Sequence, residues 1–269
     1  MILSSHGIIG SQIVQATTLL DLYPNAAAAY SLRLLRVGYT GNAIRVRRAS
    51  DNTEQNIGFV NNELDTSSLT SFCSGTNGFV TTWYDQSGNS RDATQTTAAN
   101  QPQIVSSGSV LILNGKPKID ATSTQFLQFS TDIATSNSDY SLFMTYFKNA
   151  TGNQAVVLKN NTNYHWLDYG STQYISYQDT ISPTNTFAIN TQYLYSCITD
   201  YNVGASIYQN NNINGTRGAL GTNSVSSYLP SNAFRTATIS LQEFIYYSSE
   251  QSSNRSGIET NINDFYSIY

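Results

Sequence analysis

Short segments that favour β-strands, separated by turn residues, constrain the fold of this 269-residue chain more than any other feature. The segments are rich in Val, Ile, Thr, Tyr and Phe, and the gaps between them are rich in Asn and Gly. No long helical patterns alternate with these segments, so the sequence predicts an all-β antiparallel sandwich rather than an α/β fold. The predicted strands are residues 30–34, 43–47, 79–84, 110–113, 126–129, 141–147, 155–159, 174–177, 193–199, 205–209 and 236–247.

The last part of the chain differs from the rest, because its apolar residues have a helical period. Ile258, Ile262 and Phe265 lie at positions i, i+4 and i+7, which places them on one face of a helix. We therefore expect a short C-terminal helix over residues 252–265, packed on the edge of the sandwich.

Residues 61–73 contain the signals of a shorter helix within the strand-rich first half. Asp65 is a suitable N-cap, because its side chain can accept a hydrogen bond from a free backbone N–H of the first turn. Leu69 and Phe72 are spaced so that both side chains lie on one face.

The chain is predicted to contain one domain, residues 29–269, preceded by a leader of residues 1–28. The leader is glycine-containing and weakly apolar, and it cannot build a core of its own. It is therefore either loose or docked on a partner, and its apolar side chains favour burial. The residues expected to anchor it are Ile2, Leu3, Ile8, Ile9, Ile13 and Val14.

The charge and hydropathy of the chain exclude two classes of partner. Charged residues make up 11% of the sequence, the net charge is −4, and the densest basic stretch is only residues 45–48. Binding of nucleic acid through phosphate neutralisation is therefore not expected. No stretch reaches the roughly 20 apolar residues that span a bilayer. The N-terminus also lacks the basic and apolar regions of a signal peptide.

The two cysteines, Cys73 and Cys197, are far apart in the sequence. A domain of this size does not need a disulfide for its stability. We therefore favour two free, buried thiols over a disulfide bond.

Three stretches of the sequence carry a resemblance to known domains. They are residues 29–35 with 43–48, residues 78–89 with 91–95, and residues 241–263. The first two resemble the opening of the arabinofuranosidase B catalytic domain, in which the Tyr-Asp-Gln-Ser-Gly-Asn segment found here at residues 84–89 is distinctive. The third is similar to the end of laminin-G-like and concanavalin-like modules, where a strand carrying a glutamate leads into a terminal helix. The resemblance implies a concanavalin-like antiparallel β-sandwich, or jelly roll, with a short C-terminal helix.

The arrangement as a whole, including the leader, resembles structural proteins of tailed phages. This resemblance implies a virion surface protein, made in the host cytoplasm, that serves as a fibre, spike or decoration subunit. The leader would anchor it to other virion proteins, and the subunit would form a homo-oligomer, for which a trimer would be ordinary. The sandwich would bind host or environmental glycans through many weak contacts. An arabinofuranosidase-like glycoside hydrolase and a bacterial carbohydrate-binding module are the alternatives.

Enzymatic activity is not expected from the sequence, although carboxyl groups are available for it. A retaining glycosidase needs two carboxyl groups about 5 Å apart, one as nucleophile and one as acid/base. The candidates are Asp85, Asp92, Asp120, Asp168, Asp200 and Glu243. None lies in a context that matches the catalytic pair of the family, so no catalytic residue is assigned.

The loop from Asp85 to Asn89 has three interpretations. An aspartate after a strand can accept the N–H groups of the following turn, and Gly88 can adopt a left-handed conformation. This structural interpretation is favoured over direct contact of Asp85 and Asn89 with a glycan. A Ca²⁺ site is the third, since Asp, Asn and backbone carbonyls suit a hard cation. No other cofactor is expected.

Trp166, beside Tyr164 and Tyr169, forms the aromatic cluster that best suits a sugar. Exposed rings offer an apolar surface with a polar group at its edge, on which a sugar can stack. Packing of Trp166 and Tyr169 in the core is the favoured alternative. The two histidines, His6 and His165, have no partners at metal-binding spacing.

Overall fold

A computed structural model describes the backbone and side chains of residues 18–122, 124–130, 138–149, 181–219 and 239–269. For residues 154–159, 164–169, 172–174, 180 and 232–233 it describes the backbone alone. The helices are α1 (Leu19–Leu22), α2 (Thr66–Phe72) and α3 (Ser252–Tyr266), with a 3₁₀ turn at Ala98–Asn100. The strands are β1 (Ala28–Ser31), β2 (Ile44–Arg48), β3 (Glu54–Ile57), β4 (Phe59–Val60), β5 (Glu63–Leu64), β6 (Gly78–Trp83), β7 (Ala93–Thr94), β8 (Gln103–Ser106), β9 (Ser109–Val110), β10 (Ile112–Leu113), β11 (Lys116–Pro117), β12 (Ile119–Ala121), β13 (Leu127–Phe129), β14 (Tyr140–Lys148), β15 (Gln154–Lys159), β16 (Tyr164–Tyr169), β17 (Thr172–Tyr174), β18 (Thr180–Ile181), β19 (Thr191–Asp200), β20 (Gly204–Gln209), β21 (Asn212–Gly218), β22 (Asn232–Ala233) and β23 (Ile239–Tyr247).

The main sheet follows the order β21-β20-β19-β14-β23-β12-β8-β6-β7-β13-β22, with β1 paired to β23 and β2 paired to β6 and β3. Its strands pair antiparallel, as in the long central pairs of β14 with β19 and β23. The sheet folds back on itself. Tyr30 of β1 stacks on Phe129 of β13 with ring centroids 5.6 Å apart, although these strands are distant in the strand order. The predicted antiparallel β-sandwich with a short C-terminal helix is confirmed.

Two apolar clusters hold the fold together, one inside the sandwich and one between the sheet and the helices. Strand β23 contributes to both clusters. Phe244 and Tyr246 point into the sandwich, whereas Ile245 and Tyr247 lie in the outer cluster. Because both faces of β23 are covered, all nine of its residues are buried, including Ser240, Gln242 and Glu243.

Helix α3 covers the outer face of the sheet. Ile258 and Ile262 are buried as predicted, and Tyr266 is the third buried apolar member of the stripe. Phe265 is only partly buried, and the guanidinium carbon of Arg33 lies 4.8 Å from the centre of its ring. In the part of the chain that the structure describes, no helix is long and apolar enough to cross a membrane.

Helix α2 begins as predicted. The Asp65 side chain accepts a hydrogen bond from the Ser68 N–H at 2.9 Å, and so caps the first turn. Leu69 is fully buried in the inner cluster, and Phe72 packs on it while partly exposed.

The end of the predicted leader packs on the sandwich. Leu19 and Leu20 of α1 are buried in the outer cluster, and the Tyr247 hydroxyl donates to the carbonyl of Tyr23 at 2.7 Å. Strand β1 already begins at Ala28, so the boundary predicted between residues 28 and 29 falls inside this strand. The proposed anchoring residues Ile2, Leu3, Ile8, Ile9, Ile13 and Val14 lie outside the described residues.

Both cysteines are free and buried, as predicted. Burial raises the pKa of the Cys197 thiol to about 11, although Thr199 and Tyr140 lie within hydrogen-bonding distance of its sulfur. Burial also raises the pKa of Cys73. Because the thiolate is the reactive form, neither side chain is poised to react.

We expect the folded protein to resist a thiol-specific disulfide reagent at pH 8. Both sulfurs are shielded from the reagent and are protonated at this pH. Spectrophotometric titration should detect no fast-reacting thiol in the native protein and two after unfolding in guanidinium. Fast labelling of either cysteine in the native protein would contradict the burial described above.

Candidate functional site

Asp85 organises the loop that follows β6. Its side chain is 4% exposed, and each carboxylate oxygen accepts two hydrogen bonds. Oδ1 accepts from the N–H groups of Ala29 and Ser87, both at 2.9 Å. Oδ2 accepts from the Ser87 hydroxyl at 2.7 Å and from the Arg91 N–H at 3.1 Å. Gly88 has a φ of 95°, a conformation that favours glycine. The structural interpretation of this loop is therefore confirmed.

Gln86 joins the same loop to the beginning of the domain. It is fully buried, and its Nε2 donates to the carbonyls of Ser31 and Arg33 at 3.1 and 3.0 Å. Its Oε1 accepts from the Leu35 N–H at 2.8 Å. The Gln86 side-chain amide thus forms hydrogen bonds with backbone groups of residues 31–35 that would otherwise pair with a neighbouring strand. Sequence analysis did not assign this role, because residues 31–35 are distant in the chain.

Asn89 also has a structural contact, since its Nδ2 donates to the carbonyls of Ala26 and Ala27, both at 3.1 Å. Asp85 and Asn89 therefore both have protein partners in the structure. Their contact with a glycan stays a prediction.

Asp92 lies next to this loop and differs from Asp85 in its surroundings. Its Oδ1 accepts the N–H of Asp85 at 2.9 Å. Burial raises the pKa of Asp92 more than the hydrogen bond from the Asp85 N–H lowers it, and the Asp85 carboxylate adds a smaller rise. Burial, followed by the charges of these two aspartates, also raises the pKa of Tyr39 to about 12.

Asp92, Tyr39 and the nearby Tyr84 are all partly exposed, and we call them the Asp92 cluster. The Tyr84 hydroxyl donates to Oδ1 of Asn56 at 2.9 Å. Tyrosine rings beside a carboxyl group of raised pKa combine an apolar surface with a possible proton donor. Glycoside hydrolysis is one reaction that needs a carboxylic acid able to donate a proton.

Glu243 is a structural carboxylate and is fully buried. Arg33 donates to both of its oxygens, from Nε at 2.8 Å and from Nη2 at 3.0 Å. The Ser31 hydroxyl donates at 2.7 Å and the Tyr266 hydroxyl at 3.2 Å. Burial lowers the pKa of Arg33, but the Glu243 carboxylate and the Tyr266 hydroxyl together outweigh it and raise that pKa. The network joins β1, β23 and α3.

The remaining candidate carboxyls are held by other partners. Asp120 pairs with Lys118 at 3.0 Å, and Asp200 accepts from the N–H groups of Asn202 and Val203 at 3.0 and 3.1 Å. Asp168 lies on β16, where the side chains are outside the described residues. Of the six candidates, the structure therefore brings Asp85 and Asp92 together.

The aromatic residues predicted to stack on a sugar, Tyr164, Trp166 and Tyr169, all lie on β16. Their side chains, and those of His6 and His165, are outside the described residues, so the stacking stays a prediction. Among the side chains that the structure describes, no group of three or more His, Cys, Asp or Glu residues could hold a metal ion.

The family of the chain follows from its first half. The family model described as alpha-L-arabinofuranosidase B, catalytic, matches residues 21–168, which is more than half of the sequence. The chain belongs to this family. The matched region contains β1, the Asp85 loop and the Asp92 cluster. No curated protein matches the sequence closely enough to count as a relative.

Solved arabinofuranosidases share the fold. One, an α-L-arabinofuranosidase soaked with a cyclic sulfate inhibitor, is 14% identical and superposes with a TM-score of 0.69. Another, an arabinofuranosidase complexed with arabinofuranosyl-α-1,2-xylobiose, is 16% identical with a TM-score of 0.66. Each comparison covers 88% of this chain and 62% of the other. The chain therefore spans less than two thirds of the length of these structures.

The family match contradicts two expectations from the sequence, namely a virion surface subunit and the absence of enzymatic activity. The match supports instead the arabinofuranosidase-like glycoside hydrolase that was the alternative. The error has a physical cause. A surface rich in Asn, Ser and Thr with few charges describes any well-solvated sandwich, and is not specific to a virion.

Proposed function

We propose that this chain is an arabinofuranosidase-like glycoside hydrolase that acts on terminal α-L-arabinofuranosyl groups. The observation that carries the proposal is the match of the family's catalytic model to residues 21–168. The shared fold over most of the chain is consistent with it.

Glycoside hydrolysis requires one carboxylic acid to protonate the leaving oxygen, and a second carboxylate to act as nucleophile or to activate water. An acid of raised pKa suits the first role, because it keeps its proton closer to neutral pH. Among the described carboxyls, the pKa is raised for Asp92 and for Glu259, but Glu259 is fully buried and paired with Arg255. Asp85 and Glu243 are committed to structural hydrogen bonds. Asp92 is therefore the described residue that we propose to test first.

The test is release of nitrophenol from 4-nitrophenyl α-L-arabinofuranoside by the purified chain. Asp92, Asp132, Asp168 and Asp179 are changed to Asn one at a time, the last three because their side chains are outside the described residues. Loss of a catalytic carboxyl should lower kcat by about 10²- to 10⁴-fold. Asp264→Asn, at an exposed position of α3, is the matched control and should leave kcat unchanged. Absence of turnover by the wild-type chain on all aryl arabinofuranosides would refute the proposal.

The Tm of Asp92→Asn shows whether a loss of activity in this variant comes from the lost carboxyl group or from a failure to fold. The folded-state pKa of Asp92 is raised, so its contribution to stability is present at low pH and is lost as pH rises through that pKa. At pH 7 the charged form is therefore the less stable one, and Asn keeps the oxygen that accepts the Asp85 N–H. We expect Asp92→Asn to have an equal or higher Tm than wild type at pH 7. A clear drop in Tm would show that Asp92 is needed for folding.

A further inference from the structure

A separate cavity of about 230 Å³ lies at one end of the sheet order, beside the start of α3. Its walls come from the end of β19, from β20, from Arg217 of β21 and from the residues that lead into α3. None of its lining residues belongs to the Asp85 loop or to the Asp92 cluster. The cavity also lies outside the segment that the family model matches.

The cavity combines apolar and polar groups. Val203 lies at its rim with 73% of its surface exposed, and Tyr208 contributes an aromatic wall. The guanidinium carbon of Arg255 lies 3.9 Å from the centre of the Tyr208 ring, which holds the ring in place. Asp200, Glu250 and Arg217 supply acceptors and donors.

The two carboxylates are oriented before any ligand binds. Asp200 is fixed by the N–H groups of Asn202 and Val203, as described above. Glu250 is fixed by the N–H of Ser252, which donates to its Oε1 at 2.7 Å. Side chains held in this way lose little entropy on binding.

We infer that this cavity binds one sugar ring of a neutral glycan, at a site separate from the Asp92 cluster. Hydroxyl groups both donate and accept, so they match a wall that carries two carboxylates and one guanidinium. The two carboxylates would repel an anion, and the positive charge of Arg217 would repel a metal ion. The apolar rim suits the C–H face of a sugar ring. The volume is below the roughly 300–1,000 Å³ of pockets for drug-sized ligands, which limits the occupant to about one ring.

The test is an NMR titration of the ¹⁵N-labelled chain with L-arabinose and, separately, with D-xylose. These monosaccharides contain no glycosidic bond, so hydrolysis cannot affect the result. The backbone amides of Val203, Gly204 and Ser206 are expected to shift in a saturable manner with at least one sugar. Sodium sulfate and calcium chloride are titrated in parallel, and should leave these amides unchanged.

Two variants locate the binding. Ser206→Phe fills the cavity from β20 and should abolish the shifts of the neighbouring amides. Arg217→Met removes a charged donor and should weaken binding by about tenfold or more. Arg45→Met is the matched control, because Arg45 is paired with Glu54 at 2.5 Å on the surface and lines no part of the cavity. Amide chemical shifts of residues outside the cavity that match those of the wild-type protein show that each variant folds.

The inference would be overturned by shifts that survive in Ser206→Phe, or by a response of these amides to sulfate or calcium alone. Absence of any saturable shift with both sugars would overturn it as well. Release of nitrophenol from the aryl arabinofuranoside is measured on the same variants. Since the cavity is separate from the Asp92 cluster, turnover should persist in Ser206→Phe. Failure of sugar binding in this cavity therefore does not refute the proposed hydrolase activity. Failure of the hydrolase proposal likewise does not refute sugar binding in the cavity.

Discussion

Replacing Glu243 with Gln is expected to lower the free energy of unfolding by about 3–5 kcal/mol, which is the usual cost of leaving one member of a buried ion pair unpaired. The Glu243 side chain is fully buried and that of Arg33 is 9% exposed, so water cannot solvate the guanidinium once the carboxylate is lost. The substitution keeps the size of the side chain and removes its charge. Urea unfolding followed by circular dichroism at pH 7 measures the change.

The control for this prediction is Glu63→Gln, which breaks the surface pair with Lys116 at 2.6 Å. Its side chain is 45% exposed, so we expect a loss of about 1 kcal/mol or less. Arg33→Met should cost about as much as Glu243→Gln, and the double variant should cost less than the sum of the two. Equal losses for Glu243→Gln and Glu63→Gln would refute the role assigned to the buried network.

Replacing Asp85 with Ala should have a similar effect, through backbone hydrogen bonds instead of an ion pair. The substitution removes the acceptor of the N–H groups of Ala29, Ser87 and Arg91. Each buried donor left without a partner costs about 1–3 kcal/mol, so we expect a total loss of about 3–5 kcal/mol after partial hydration. Asp85→Asn keeps one acceptor oxygen and should fall between Ala and wild type.

Asp200→Ala is the matched control for Asp85. Asp200 also accepts backbone N–H groups of the turn that follows its strand, but these bonds are exposed to solvent. Water can replace the lost acceptor there, so the expected loss is about 1 kcal/mol. A loss from Asp85→Ala as small as that from Asp200→Ala would mean that the loop does not hold the beginning of the domain in place.

The elements predicted correctly are those whose signals are local. Asp65 caps α2 because the N-cap and the N–H that it accepts are three residues apart. The helical period of Ile258 and Ile262 identified α3, and the alternation of arginine with apolar residues identified β2. In each case the stabilising contact, or the face to be buried, is encoded within a few residues.

The elements missed were short or lacked a pattern. Glu54–Ile57 has three exposed residues and pairs with β2, so nothing in its own sequence marks it as a strand. Ile119–Ala121 has only three residues and is held between β23 and β8. Such strands form because a neighbouring strand offers backbone partners, and this is a property of the topology rather than of local propensity.

The wrong prediction of a virion protein without enzymatic activity has a related origin. The Tyr-Asp-Gln-Ser-Gly-Asn segment was identified from the sequence, and the family match confirms that it belongs to the arabinofuranosidase B type. In the structure, Asp85, Gln86 and Asn89 of this segment form hydrogen bonds that hold the fold together. A segment with this role marks the scaffold, and did not by itself distinguish an enzyme from other proteins that use the same scaffold.

The sequence alone determined the fold class and the two longer helices, because these depend on local periodicity and on the amount of apolar surface available. Only the tertiary structure decided which polar residues act together. Arg33 and Glu243 are 210 positions apart, and Asp92 has a raised pKa because the fold buries it. Ion pairing and pKa depend on distance in space and on burial, and neither can be read from distance along the chain.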